Sequence, residues 1–91
     1  MTVRVLVLSL GDNVAVALEH VPAGAVVPVR NGNLRVLDDV PQGHKISLSD
    51  IAEDAPVIKY GSEIGRATKP IPRGTHVHVH NIESARLRGD L

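Results

Sequence analysis

Cysteine, tryptophan and phenylalanine are absent from this chain, and Tyr60 is its only aromatic residue apart from the histidines. The lack of cysteine excludes disulfides, thiolate catalysis and cysteine-type zinc sites together. Small extracellular domains commonly lean on disulfides, so the expected location is cytoplasmic. With one tyrosine there is no set of rings on which nucleotide bases could stack. Charge of one sign is also missing: ten basic and ten acidic residues give a net charge of zero. Without a basic run nothing draws the chain to a phosphate backbone, and no nucleic-acid partner is expected. No apolar run is long enough for a membrane span. The opening "MTVRVLVLSLGDN" alternates, with Val3, Val5 and Val7 on one face and Leu6, Leu8 and Leu10 on the other. It reads as a buried strand, not as a signal peptide or a span, and no membrane partner is expected.

What is present is a small chain of 91 residues, read as a single domain over residues 1–91, with a core over roughly 3–81 and a tail over 82–91. Chains of this size bury only about 60–65% of their unfolded surface, so partners can share the burden of stability. A core of Val, Ile, Leu and Ala favours strands. Three Pro-x-Gly steps, Pro22-Ala23-Gly24, Pro41-Gln42-Gly43 and Pro72-Arg73-Gly74, each follow a β-branched residue. Each reads as a β-turn feeding a strand, although their unequal spacing does not make a true repeat. Further turns are expected at Asn31-Gly32-Asn33 and Tyr60-Gly61-Ser62. The strand-like segments are residues 3–10, 14–18, 25–30, 34–36, 45–48, 57–60 and 76–80. "SLSDIAEDA", with Ser47 or Ser49 as cap, predicts a short helical turn, and "ESARL" a second. The fold class is mostly β, a compact barrel-like or folded-hairpin domain with one or two short helical turns.

"PRGTHVHVHN" gathers three of the five histidines within five positions. On a regular strand His76, His78 and His80 project from one face while Val77 and Val79 bury on the other. Neighbouring histidines two apart lie about 6.6 Å apart, close enough to share one ion, whereas His76 and His80 at about 13 Å do not. A third ligand must then come from elsewhere in the chain or from another chain. His44 in "GHK" is the internal candidate, with Lys45 adding a cation. The alternation alone is equally compatible with a solvated polar face. Asn81, His44, Lys45 and Lys59 supply the mixed donors a hydroxy-acid requires. Lys59 and Tyr60 also fit a strand-end pair covering apolar surface. No complete catalytic set is visible. Asp12-Asn13 and Asp38-Asp39 read as turn residues, and residues 61–65 lack the strand–helix context of a phosphate loop.

The order "GDNVAVAL", "VPQGHKISLSDI", "VIKYGSEIGRAT", "IPRGTHVHVHN" resembles the N-terminal SAF-type domain of the altronate and galactarate dehydratase family, from Asp12 to Asn81. It is also similar to the separate small subunit of related lyases, including the sulfolactate sulfo-lyase type. The resemblance implies a β-clip fold, a long hairpin-like sheet folded upon itself. It also implies a metal-dependent lyase acting on hydroxy-acids, with a divalent ion such as iron or manganese as cofactor. Carried over by motif, it places His44, Lys45, Lys59, Tyr60 and Asn81 at a substrate site. His78 and His80, with His76 as a further candidate, become metal ligands.

The single-chain dehydratases of that family continue for hundreds of residues, whereas this chain stops at Leu91. The leading expectation is therefore a small subunit that lends one wall of an active site to a separate large catalytic subunit. In the tail, Arg86 and Arg88 are candidate carboxylate or interface contacts. The alternatives are a non-catalytic module binding a sugar acid or another protein, a sulfolactate sulfo-lyase small subunit, and a homo-oligomeric metalloenzyme with ligands completed across a symmetric interface.

Overall fold

Residues 21–25, 40–44, 51–55 and 71–75 share one backbone conformation in the computed structural model, which describes residues 5–6, 11–30 and 32–84. In each, an amide donates to the carbonyl three residues earlier: Ala25 to Pro22 (3.1 Å), His44 to Pro41 (3.1 Å), Ala55 to Ala52 (3.0 Å) and Thr75 to Pro72 (3.2 Å). The third residue of each turn has positive φ: Gly24 at 90°, Gly43 at 84°, Asp54 at 70° and Gly74 at 87°. That is the signature of a type II turn, which favours glycine at this place. Three of the four turns are the Pro-x-Gly steps of the sequence. The fourth, Ala52-Glu53-Asp54-Ala55, has neither proline nor glycine and lies where a helical turn was expected. No helix occurs among the described residues, so that expectation is corrected: Asp54, tolerant of left-handed backbone, stands in for glycine.

The four turns pair into two equivalent units. Val21 and Val40 exchange two backbone hydrogen bonds (2.9 and 2.8 Å), and Ile51 and Ile71 do the same (2.8 and 2.8 Å). Each unit encloses a hairpin, β3 (Val26–Val29) with β4 (Gly32–Arg35) in the first, and β6 (Pro56–Lys59) with β7 (Ser62–Ala67) in the second. Gly24 N–H donates to Val36 O (2.7 Å) just as Asp54 N–H donates to Ala67 O (2.8 Å). The turns do form a structural repeat, concealed in the sequence because the fourth member lost both marker residues.

Between the units runs a four-stranded antiparallel sheet in the order β1 (Val5–Leu6), β2 (Val14–Ala17), β5 (Lys45–Ser47), β8 (His76–Val77). It feeds two cores. Ala17 and Ile46 join Val21, Val27, Leu34, Val36 and Val40 in the first. Val14 and Val77 join Ile51, Val57, Ala67 and Ile71 in the second. β2 therefore buries Val14 and Ala15 on successive faces, which accounts for its unbroken run of apolar residues. β9 (Ile82–Ser84) adds an edge strand to β7. The result is an all-strand fold, as expected for a mostly β, SAF-like chain.

Gly74 shows why one of these turns demands glycine beyond its φ: a Cβ there would run into the carbonyl oxygen of Arg35. Of the expected 3–10 strand only Val5 and Leu6 are described, and Asn31, Arg86 and Arg88 lie outside the described residues. The expected 76–80 strand ends at Val77. Val79, expected to be buried, is 81% exposed. The alternating pattern is interrupted because residues 78–81 fold into a turn, closed by Asn81 N–H donating to His78 O at 3.1 Å.

Candidate metal centre

β5 and β8 lie side by side with Ile46 opposite His76 and Lys45 opposite Val77. One step further along the ladder His44 comes to face His78. Cross-strand partners share a face, so the buried Ile46 anchors the face from which His44 and His76 emerge. The His44 and His78 rings stack with centroids 3.9 Å apart and planes 15° apart. His76 stacks at 5.1 Å from His44 and 5.8 Å from His78. Nδ1 of His44 and Nε2 of His76 are 2.8 Å apart, so one carries the proton that the other accepts.

One ring nitrogen from each of His44, His76 and His78 lies within 4.8 Å of the other two. Nδ1 of His78 is buried and has no hydrogen-bond partner among the described residues. Burial lowers the pKa of His78 from its usual value, helped by the positive charges of His44, Lys45 and His80. Burial also lowers that of His76, with His80, His44 and His78 adding to it and Asp38 opposing. Both effects favour the neutral imidazole, whose lone pair can bind a cation. A buried, unpartnered nitrogen beside two further imidazole nitrogens is a donor set that fits a divalent transition metal.

The remaining residues singled out by sequence are distributed around this triple. His80 is exposed, its ring 5.0 Å from that of His76 and tilted by 37°, outside the three-nitrogen group. Alternation carries Lys45 off the opposite face of β5, beside Val77. Burial, then the charge of Lys59, lowers its pKa. Lys59 lies over the Tyr60 ring, 4.7 Å from its centroid. Tyr60 is 52% exposed at the β6–β7 turn, with φ of 56°. The Asp12 carboxylate holds that turn by accepting the amides of Tyr60 (3.1 Å) and Gly61 (2.8 Å). Asn81 is almost wholly buried. Its carboxamide accepts the His78 amide (3.0 Å) and donates to the His76 carbonyl (2.9 Å).

Two supports had no signal in the sequence. Ser47, fully buried, donates through Oγ to Pro72 O (2.7 Å) and accepts the Thr75 amide (2.9 Å), pinning the turn that leads into His76. The Asp38 carboxylate accepts the backbone amide of His76 at 3.0 Å. Both lie far from His76 in sequence, and only the folding of the chain brings them to it.

Comparison with known proteins agrees with this architecture. Residues 3–85 match the family described as the altronate/galactarate dehydratase SAF domain. Altronate dehydratase of Escherichia coli K12 is 51% identical over 73 residues, covering 80% of this chain and 15% of that enzyme. Galactarate dehydratase (L-threo-forming) of the same organism is 38% identical over 68 residues, 72% of this chain and 12% of that enzyme. The (2R)-sulfolactate sulfo-lyase subunit alpha of Chromohalobacter salexigens is 47% identical over 57 residues, 63% of this chain and 61% of that subunit. The matched region is thus a small part of the dehydratases and more than half of the sulfo-lyase subunit. With the family matched across nearly its whole length, the chain belongs to the altronate/galactarate dehydratase SAF domain family.

Proposed function

We propose that this chain is the small subunit of a metal-dependent lyase acting on a hydroxy-acid or sugar acid, and that it forms one wall of an active site completed by a large catalytic subunit. The observation that carries this reading is the convergence of His44, His76 and His78. These three would hold a divalent ion, iron or manganese by the nitrogen-rich donor set. His80 borders them from the exposed side. Once bound, the ion supplies Lewis-acid polarisation of the substrate's oxygen atoms.

The chain's own groups do the rest of the work on this wall. His44, His76 and His78 bring one ring nitrogen each within reach of a common ion. Lys45 leaves the other face of β5, with Lys59 near it, so these two ammonium groups would serve a carboxylate beside the histidine centre and not within it. Tyr60 presents a hydroxyl at the rim. Asn81, almost wholly buried, spends its amide oxygen and one N–H on the backbone of His78 and His76.

The relatives support a division between subunits: two matched proteins are named subunit alpha of a sulfo-lyase. Those matches cover 61% and 72% of the relatives' lengths, which favours a second reading in which the leaving group is sulfite instead of water. The test is affinity purification of the tagged chain from its host, followed by assay with and without the co-purified protein. A stoichiometric larger partner with lyase activity only in the complex is expected. Sugar-acid binding by the chain alone, with no partner, would favour a non-catalytic module. Activity of a homo-oligomer alone would place the whole reaction on this chain.

A further inference from the structure

The chain uses the same side-chain device twice. Asn13 donates through Nδ2 to Pro56 O (2.9 Å) and accepts the Ile58 amide on Oδ1 (2.7 Å). Asn81 donates through Nδ2 to His76 O (2.9 Å) and accepts the His78 amide on Oδ1 (3.0 Å). In each case one carboxamide spans the carbonyl before and the amide after a buried valine, Val57 and Val77 respectively. Those two peptide groups leave the strand on the same side, where a neighbouring strand would bond them. A planar primary amide, with its oxygen and N–H side by side, matches that spacing and replaces the missing strand.

The consequences of the two clamps differ. Asn13 closes over β6, whose central Val57 packs in the second core. Asn81 closes over the end of β8, where the flanking residues are His76 and His78. Its hold fixes the peptide planes from which both rings depart, and its own carbonyl accepts the Thr68 amide (2.9 Å), tying the clamp to the end of β7. The backbone partners also dictate the amide's orientation: a carbonyl can only accept and an N–H can only donate. An aspartate in its place would set a carboxylate oxygen against the His76 carbonyl.

We propose that Asn81 is the positioning residue of the histidine centre, acting through the backbone of His76 and His78 to bring their rings against His44. This goes beyond the substrate contact expected from the sequence and rests, for its metal readout only, on the histidines binding an ion. Supporting groups behind metal ligands commonly change affinity by about 10–100-fold when removed. Asn13 supplies the internal control, since its clamp is chemically alike but holds no histidine.

The experiment compares wild type, Asn81→Asp and Asn13→Asp as folded chains, with Asn81→Ala and Asn13→Ala serving if an aspartate variant does not fold. The first readout uses the chain with metal stripped by chelator: NMR contacts between the His44 and His78 rings. The second is titration with Co(II), followed by its visible spectrum. Both Asn variants are expected to lower the melting temperature. Only the Asn81 variants should lose the His44–His78 ring contacts and weaken Co(II) binding by about tenfold or more. Folded Asn81 variants that keep the ring contacts, or equal loss of contacts in the Asn13 variants, would overturn the proposal. A wild type that ignores Co(II) while Asn81→Asp still loses the ring contacts would refute the metal reading and leave the positioning role standing.

Discussion

His44 and His78 stack face to face with ring centroids 3.9 Å apart, a distance two imidazolium ions would resist. The pairing follows from strand register and not from sequence proximity, and it disfavours a charge on both rings at once. Several measurable properties depend on that arrangement and on the clamps and turns that produce it.

Val77 and Val79 should respond oppositely to a charge. Val77 is fully buried in the second core and Val79 is 81% exposed. Val77→Asp buries an unpaired carboxylate and should destabilise by more than about 3 kcal/mol. Val79→Asp should stay within about 0.5 kcal/mol of wild type. Urea denaturation separates the two, and equal losses would mean that the strand continues past Val77.

Glycine at two equivalent turns should differ in how replaceable it is. Gly24 and Gly74 have φ of 90° and 87°, yet only at Gly74 would a Cβ meet the carbonyl of Arg35. Gly24→Ala should cost about 1–2 kcal/mol for the left-handed backbone. Gly74→Ala should cost about 1–3 kcal/mol more, because the two units must separate to admit a methyl group. Matching chemical denaturation midpoints would remove the close approach from the account.

Stability of the chain without metal should fall on acidification. The folded pKa values of His76 and His78 are held below the ordinary 6.5, chiefly by burial. Between the lowered folded values and pH 6.5 the unfolded chain binds more protons, so stability rises with pH across that window. It levels off above pH 6.5, where both states are neutral, and the loss is complete once pH falls below the folded values. Urea midpoints in the presence of chelator should therefore drop from pH 7.5 to pH 5. Paired replacement of His76 and His78 by glutamine should flatten the curve, and an unchanged slope would assign the effect to other groups.

Much of this was legible in the sequence, and the exceptions have identifiable causes. The Pro-x-Gly steps marked three turns, and β-branched runs marked most strands. The partnership of His44 with the histidine segment followed from needing a third nitrogen. The fourth turn was hidden because Ala52 and Asp54 replace proline and glycine, while Ser49 and nearby acids mimic a helix start. β7, Ser62–Ala67, was masked by Glu63, Gly65 and Arg66, whose exposed or close-packed positions break alternation. Alternation puts Val79 on the buried side because it presumes a continuing strand, which ends at Val77. The side chain that ends that strand, Asn81, acts through two hydrogen bonds that no periodicity encodes. Ser47 and Asp38 support the segment leading into His76 through contacts far apart in sequence, which a one-dimensional pattern does not display.

The most direct test of the account is calorimetric titration of the chelator-treated chain with Co(II) or Mn(II), comparing wild type with His44→Ala, His76→Ala, His78→Ala and His80→Ala. The account predicts one ion per chain, binding weakened by more than about tenfold when His44, His76 or His78 is lost, and near wild-type binding for His80→Ala. No heat of binding in the wild type, or binding that depends on His80 and ignores His44, would contradict the histidine centre described here.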